Sequence, residues 1–391
     1  MADGTRSTLL SPSGTGAVNR LRLLELLHSQ GPLSRAHLAR LFGVSRATIG
    51  TIVQPLLDSG ALSESAEGRS TRAGGKPARP IWFSEHGTRL AAVEILPGQI
   101  TAALLAVSGD VLRRATRQSA ALARDREAFD AALAVVVEEC LTGESLLGVG
   151  VAAAGLVDTG TGTVVEVNAM PALRDHPMAE RIGQLLDVPV FVEHHARVQA
   201  LGDRWFGSGR SLDSFASVST GDSVGVGLVH QGAVVSRPGS ASGAHMTVAK
   251  DGERCTCGNR GCWKTLTTNR WLRRRAEELG IRGARRTTVA RLAGARVDDP
   301  AADALLDEYA LNLALGLGNI EQILGPGVFI LHGDAVAGGE ALRDDLQRHL
   351  RDESPRWHGE GPRVVLADPH ADAVLMGCAG LVLSNNLSLV R

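Results

Sequence analysis

The chain has 391 residues, of which 44% are hydrophobic and 21% are charged, and its net charge at pH 7 is −1. This length predicts two or three domains, and the composition is ordinary for a soluble globular protein. The near-zero charge excludes a nucleic-acid coat protein that is basic throughout, although it leaves room for one basic module. The sequence has no run of 18 apolar residues and no apolar signal core at its N-terminus, so we expect a cytoplasmic protein without a membrane span.

Positive charge is concentrated near the N-terminus. Residues 1–15 are rich in Ser, Gly and Thr and predict a flexible arm. Residues 1–86 contain ten Lys or Arg and six Asp or Glu, a net charge of +4, which leaves −5 for the remainder. A basic front module on an acidic body is typical of a protein that binds the phosphate backbone of DNA.

Residues 16–86 have the pattern of a winged helix-turn-helix domain. Ser45 can cap a second helix after the left-handed turn that Gly43 allows, and Ile49 and Ile52 would pack that helix on the first. In a helix-turn-helix the second helix enters the DNA major groove. An ordinary pair of core helices is the alternative, but the outer face carries short or basic side chains that reach phosphates and base edges. The residues predicted to contact DNA on the two helices are Arg35, Ser45, Arg46, Thr48 and Thr51.

A hairpin-like stretch follows the second helix, with strands near residues 61–63 and 81–83. Its glycine-rich tip, residues 68–79, contains four basic residues and no acidic one, so we predict a wing that contacts DNA phosphates. The basic residues of this tip are Arg69, Arg72, Lys76 and Arg79.

From residue 87 the pattern changes to strands that alternate with helices, which predicts an α/β body over residues 87–391. A three-stranded meander, a helix, the buried strand 147–153, a second helix and another strand come first. A similar series begins again at Ser214, so the body is predicted to contain two similar halves. Cys140 and Cys378 lie in apolar surroundings and are predicted to be buried thiols.

Three of the five cysteines form the cluster Cys-x-Cys-x4-Cys, and a histidine precedes the first of them by ten residues. Three thiolates and one imidazole are a closed tetrahedral ligand set for structural zinc. Gly258 and Gly261 allow the tight backbone turns that direct the ligands to one point. A disulfide, or reduced thiols without a metal, are the alternatives. The predicted zinc ligands are His245, Cys255, Cys257 and Cys262.

The same stretch carries a family resemblance. Its pattern Gly-x-x-Cys-x-Cys-Gly-x-x-Gly-Cys, with the histidine ahead of it, resembles the zinc signature of the ROK family, which groups sugar kinases with transcriptional repressors. The resemblance implies an α/β actin-like fold (sugar-kinase or ribonuclease H-like) with two lobes over residues 87–391, which would bind an effector and dimerise. Residues 16–86 resemble the winged helix-turn-helix of ROK repressors, including Gly-Gly-Lys-Pro at 74–77 where the family often has Gly-Gly-Arg-Pro.

The resemblance also identifies the positions of kinase chemistry. The family's phosphate loop Asp-x-Gly-Gly-Thr corresponds to residues 94–98, where Leu96 adds bulk and Pro97 offers no N–H. The catalytic Asp of the family motif Asn-Asp-Ala-Asn corresponds to His195. Because the glycine-rich turn at 220–227 is better preserved, a sugar kinase with a histidine base is the alternative, but we expect no kinase activity and no catalytic residue.

The sugar-binding positions of the family have also changed. The first Asn of the same motif is His194, a Glu three residues before the zinc histidine is Ser242, and a Glu after the last cysteine is Lys264. With Glu193 and Arg197, these changes make a polar and cationic pocket that favours an acidic or phosphorylated sugar over a neutral hexose. The two neighbouring histidines could instead be plain core or surface residues. The ligand-binding candidates are His194, His195, Ser242, His245 and Lys264.

These features together predict a zinc-containing transcriptional regulator, most simply a repressor of sugar uptake or catabolic genes. Its partners would be a double-stranded DNA operator and a sugar or sugar-derived effector, anionic if the cationic pocket binds it. Paired half-sites on DNA predict a homodimer or a dimer of dimers. A regulator that has lost ligand control, with a body that serves only dimerisation, is the remaining alternative.

Overall fold

The computed structural model describes residues 16–64, 79–84, 87–235, 242–352 and 361–389. The predicted arm, residues 1–15, lies outside these ranges. The chain divides into two compact units, which are Met1–Ala154 with Asp158–Glu193 and Leu375–Arg391, and Gly155–Val157 with His194–Val374. No helix within the described ranges is long and apolar enough to cross a membrane.

The N-terminal part of the first unit contains the helix-turn-helix. Its elements are α1 (Gly16–Gln30), β1 (Leu33–Ser34), α2 (Arg35–Phe42), α3 (Arg46–Asp58), β2 (Leu62–Glu64) and β3 (Pro80–Phe83). Gly43 ends α2 with a φ of 67°, in the left-handed region that glycine adopts without strain. Leu38 of α2 and Ile49 of α3 are fully buried, and the three strands form an antiparallel sheet in the order β1-β3-β2.

The rest of the first unit is a five-stranded mixed sheet with helices. Its elements are β4 (Arg89–Leu96), β5 (Gln99–Leu105), β6 (Val111–Gln118), α4 (Arg126–Leu141), β7 (Leu146–Ala153), β9 (Thr163–Glu166), α5 (Met178–Leu186), β10 (Val190–His194) and the C-terminal helix α12 (Ala373–Leu389). The short strand β8 (Leu156–Asp158) lies mostly in the segment Gly155–Val157 of the second unit. The strand order is β10-β7-β4-β5-β6. Cys140 and Cys378 are fully buried, and a Cβ added at Gly150 of β7 would overlap the backbone of Cys378, so α12 packs directly on β7.

The second unit has its own five-stranded sheet. Its elements are α6 (His195–Trp205), β11 (Phe215–Thr220), β12 (Gly225–His230), β13 (Ala233–Val234), α7 (Lys264–Thr267), α8 (Asn269–Glu278), α9 (Val289–Ala295), α10 (Pro300–Leu324), β14 (Val328–Gly333), α11 (Gly339–Asp352) and β15 (Arg363–Leu366). The strand order is β13-β12-β11-β14-β15. A large core forms between this sheet and the helices, with Phe329, Leu331, Tyr309 and Leu313 almost completely buried.

The two sheets share one topology. In each, three antiparallel strands come first, a fourth strand pairs parallel to the first of them on its other side, and a fifth strand follows at that edge. When the five strands of each sheet are numbered in chain order, both sheets have the order 3-2-1-4-5. This repetition confirms the predicted α/β actin-like architecture with two similar halves.

Candidate metal centre and nucleic-acid interface

The structure brings the four predicted metal ligands together. The ligand atoms of His245, Cys255, Cys257 and Cys262 all lie within 4.8 Å of one another. The Sγ atoms of Cys257 and Cys262 are 3.6 Å apart, and Cys255 Sγ is 3.5 Å from His245 Nδ1. A tetrahedral ion with metal–sulfur bonds of about 2.3 Å and a metal–nitrogen bond of about 2.0 Å has edges of roughly 3.8 Å and 3.5 Å. The arrangement therefore fits a small tetrahedral ion.

Tight turns hold in place the segment that carries the metal ligands, residues 245–262, which we call the metal loop. Gly261 has a φ of 63°, and a Cβ there would overlap the carbonyl of Ala249, so only glycine is accommodated. The carbonyl of Gly261 accepts hydrogen bonds from the N–H groups of Val248 and Ala249, at 2.9 and 3.3 Å. The next turn is closed by the N–H of Gly258, which donates to Cys255 O at 3.0 Å. The turns of the backbone thus direct the ligands toward one point.

The electrostatics of the cluster also favour a cation. Burial and the neighbouring thiols raise the pKa of Cys262 to about 12, so this thiol ionises readily only when a positive ion compensates its charge. Burial, and then the charge of Lys264, lower the pKa of His245, which keeps the imidazole neutral and able to coordinate a metal. All five cysteines are free thiols, which rules out the disulfide alternative in this structure.

The outer face of α3 carries most of the residues predicted to contact DNA. Ser45 caps the helix, since its hydroxyl accepts from the N–H of Thr48 at 3.1 Å. Arg46, Thr48 and Thr51 are exposed, and so is Gln54, a residue that the sequence analysis missed although it follows Thr51 by one helical turn. An amide on this face can read base edges, and here it donates to Asp58 at 2.8 Å.

Arg35 is placed differently from the other candidates. Its Nε lies 2.8 Å from Glu64 Oε1, so the side chain joins the start of α2 to strand β2 of the wing. This ion pair holds the helix-turn-helix to the wing and occupies part of the guanidinium. Arg79 is exposed at the start of β3, whereas the other predicted wing contacts, Arg69, Arg72 and Lys76, lie outside the described residues.

The ligand-binding candidates fall into two local groups in the second unit. His194 and His195 lie at the start of α6, and a Cβ at Gly225 would be 3.1 Å from Ala196 Cβ and 3.5 Å from Ser242 Oγ. Ser242 therefore lies beside the start of α6. The other group is His245 and Lys264, which lie close together because the N–H of Lys264 donates to Ala244 O at 3.0 Å.

His194 adds no positive charge near pH 7 to the cluster that was predicted to be cationic. Burial, and then the charges of Arg197 and His195, lower its pKa to about 3 from the ordinary 6.5. Its unprotonated Nδ1 accepts the N–H of Ala196 at 3.2 Å, which caps α6, and a proton on that nitrogen would abolish the bond. His194 is thus a neutral capping residue near pH 7.

The depressed pKa of His194 makes the protein less stable in mild acid. Stability is fully present above pH 6.5 and is lost as the pH falls toward 3, because only the unfolded state takes up the proton. Between pH 6.5 and 5 this one group removes about 2 kcal/mol of unfolding free energy. Urea unfolding of wild type and His194→Asn checks this, since asparagine keeps a capping acceptor. Identical pH profiles for the two proteins would contradict the assignment.

A polar pair that sequence reasoning missed fixes the glycine-rich turn at 220–227. The N–H of Asn269 donates to Gly221 O at 2.9 Å, and its side-chain amide donates to Asp334 Oδ2 at 2.6 Å. Asn269 and Asp334 are 65 residues apart in the sequence, so no local pattern could have joined them. At Gly227, a Cβ would overlap the carbonyl of Ala196, which explains why the turn needs glycine there.

Comparisons with known proteins identify the family of this chain. The ROK family model matches residues 90–385. A putative xylose repressor of Caldicellulosiruptor sp. (strain Rt8B.4) is 23% identical over 391 residues, which cover 95% of this chain and 96% of the repressor. The glucokinase of Thermotoga maritima is 26% identical over 311 residues, covering 75% of this chain and 97% of the glucokinase.

The fold is shared with solved structures as well. The crystal structure of a ROK family transcriptional regulator, a homolog of the E. coli MLC protein, superposes with a TM-score of 0.80 at 21% identity. The match covers 96% of this chain and 98% of the regulator. Since the family model spans well over half of the sequence, the chain belongs to the ROK family.

Proposed function

We propose that the chain is a DNA-binding transcriptional repressor of sugar uptake or catabolic genes, controlled by a sugar-type ligand that its body binds. One observation carries the proposal: α3 presents an exposed polar face in a helix-turn-helix, on a chain that a putative xylose repressor matches almost from end to end. The glucokinase match, by comparison, leaves a quarter of this chain uncovered. A protein that binds an operator would act in the cytoplasm.

The metal in this proposal is zinc. Three thiolates and one imidazole suit zinc better than the oxygen-preferring cations, and a four-ligand site leaves no open position for catalysis. The residues that would hold it are His245, Cys255, Cys257 and Cys262. When bound, the ion would supply a fixed charge and a structural bridge between the two ends of the metal loop.

The proposal excludes phosphoryl transfer. Strand β4 pairs with β5 up to Leu96 and Gln99, so Pro97 and Gly98 form a tight two-residue turn. Proline has no N–H to offer a phosphate, and the position of the family's catalytic Asp is His195. Turnover of ATP with a panel of hexoses tests the alternative of a kinase with a histidine base, and robust phosphorylation would establish that alternative.

Effector binding is assigned to His195, Ser242, His245 and Lys264, with His194 shaping the start of α6. A bound sugar acts on DNA affinity only if it favours one arrangement of the body over another. We propose a homodimer, or a dimer of dimers, because helix-turn-helix proteins read two half-sites. Unaltered operator release after substitution of His195 and Ser242 would favour the ligand-independent alternative.

Removal of one positive charge from α3 is expected to weaken operator binding. The Arg46→Ala variant should bind about tenfold or more weakly, and its salt dependence should fall by about one released counterion, because Arg46 is exposed at the start of α3. Fluorescence anisotropy with operator DNA found by genome-wide mapping, at several salt concentrations, measures both quantities.

The matched control is Arg124→Ala. Arg124 is equally exposed in the first unit, outside the helix-turn-helix and the wing strands. Its removal changes the net charge by the same amount and should leave DNA affinity unchanged. Equal losses in the two variants would mean that DNA responds to overall charge and that α3 is not the reading helix.

A further inference from the structure

A cavity of about 210 Å³ opens beside the metal loop of the second unit, next to Cys255. Four cationic and two acidic side chains line it, giving a net charge of +2 in a body that is acidic overall. These charged lining residues are Arg254, Lys264, Arg270, Arg274, Asp222 and Glu253. We refer to this site as the cationic cavity.

The acidic residues do not neutralise the cationic cavity. Glu253 is engaged by Arg274 and lies 3.9 Å from Arg270, so it is shared between two arginines. Arg254 and Lys264 have no ion pair within the described part of the chain. Lys264 is half-buried, where an ammonium without a counterion is costly, and Arg254 is exposed, so both cations are available to an anion that enters the cavity.

The other lining groups indicate what the anion is attached to. Asp222 is exposed and lines the cavity, where its carboxylate repels a bare anion but accepts hydrogen bonds from hydroxyl groups. Thr256 adds a hydroxyl to the same lining. The cavity is far too small for a nucleic-acid strand. A lining with excess positive charge, a carboxylate and a hydroxyl therefore fits a phosphate group carried by a small polyol.

We propose that the cationic cavity binds a phosphorylated polyol of the sugar phosphate class, with its phosphate on Arg254 and Lys264 and its hydroxyls on Asp222. The role of this ligand as an effector rests on the proposed regulatory function, whereas its binding does not. Arg254 directly precedes Cys255, and Lys264 lies two residues beyond Cys262. The bound sugar phosphate would therefore connect the two ends of the segment that carries the three cysteines.

Calorimetry on the zinc-loaded protein tests the proposal with glucose, inorganic phosphate, glucose 6-phosphate and ribose 5-phosphate as titrants. We expect at least one sugar phosphate to bind more tightly than either glucose or phosphate. Arg254→Gln and Lys264→Gln should each weaken it about tenfold, the usual effect of one lost charged hydrogen bond. Lys264→Arg should retain most of the affinity, and Arg285→Gln, exposed and outside the cavity, should change nothing.

Metal content and thermal melting establish that each variant is folded and loaded. The proposal is overturned if no sugar phosphate binds, if the glutamine variants bind as tightly as wild type, or if phosphate binds as tightly as its sugar esters. Operator binding without any titrant is measured in parallel. Sugar phosphate binding without operator binding would refute the regulatory function alone, and the reverse result would refute the cavity alone.

Discussion

Replacement of Cys262 with alanine is expected to abolish stoichiometric metal binding and to destabilise the second unit by more than about 4 kcal/mol. Single substitutions reach that size only through a few mechanisms, of which loss of a metal site is one. Cys262 is fully buried and faces Cys257 at 3.6 Å, so its loss leaves an incomplete set of ligands inside the fold. Metal analysis by mass spectrometry and urea unfolding measure the two effects.

Cys140→Ala provides the matched control. Cys140 is also fully buried, but it lies on α4 of the first unit, away from the ligand set. The same chemical change there should retain the metal and cost about 1 kcal/mol, the ordinary effect of a point substitution. If both variants kept one equivalent of zinc and lost the same stability, the cluster would be an ordinary thiol core and the metal assignment would be wrong.

The fold was largely predictable because its signals are local. The apolar runs of β4 and β5, the cap Ser45, and Gly43 each depend on only a few neighbouring residues. The metal ligands were equally predictable, since they lie within an 18-residue stretch whose spacing is itself the signal. Two-residue strand β1, by contrast, was missed because its only support is a pairing with β3 that is distant in the sequence.

The charge distribution of the candidate sites was less predictable, because it depends on tertiary contacts. Arg35 was expected to contact DNA, yet Glu64 engages it across the wing. His194 was expected to belong to a cationic cluster, and burial keeps it neutral within that cluster. The cationic cavity combines the metal loop with the first turn of α8, where Arg270 lies, and no spacing rule joins those segments.

Packing behind the metal loop gives the second large effect that we expect. Trp263 follows Cys262 directly, is fully buried, and donates from Nε1 to the carbonyl of Asn312 on α10 at 2.8 Å. Its indole lies against Gly316, one helical turn further along α10, where an added Cβ would come within 3.0 Å of several ring atoms. The glycine is therefore required by the tryptophan, and the tryptophan anchors the last metal ligand to the core.

Gly316→Ala is accordingly expected to destabilise the protein by about 3 kcal/mol, the upper end for overpacking of a core. Gly318, two residues away on the same helix, has nothing within 4 Å of an added Cβ, so Gly318→Ala should stabilise by about 0.4–1 kcal/mol through its effect on the unfolded chain. Urea unfolding gives both values, and the rate of zinc release to a chelator should rise only in Gly316→Ala.

Adding Trp263→Leu to Gly316→Ala should relieve most of the overlap, so the double variant should be less destabilised than the sum of its single changes. Strict additivity would mean that the ring and the glycine do not compete for the same space, and that the metal loop is anchored elsewhere.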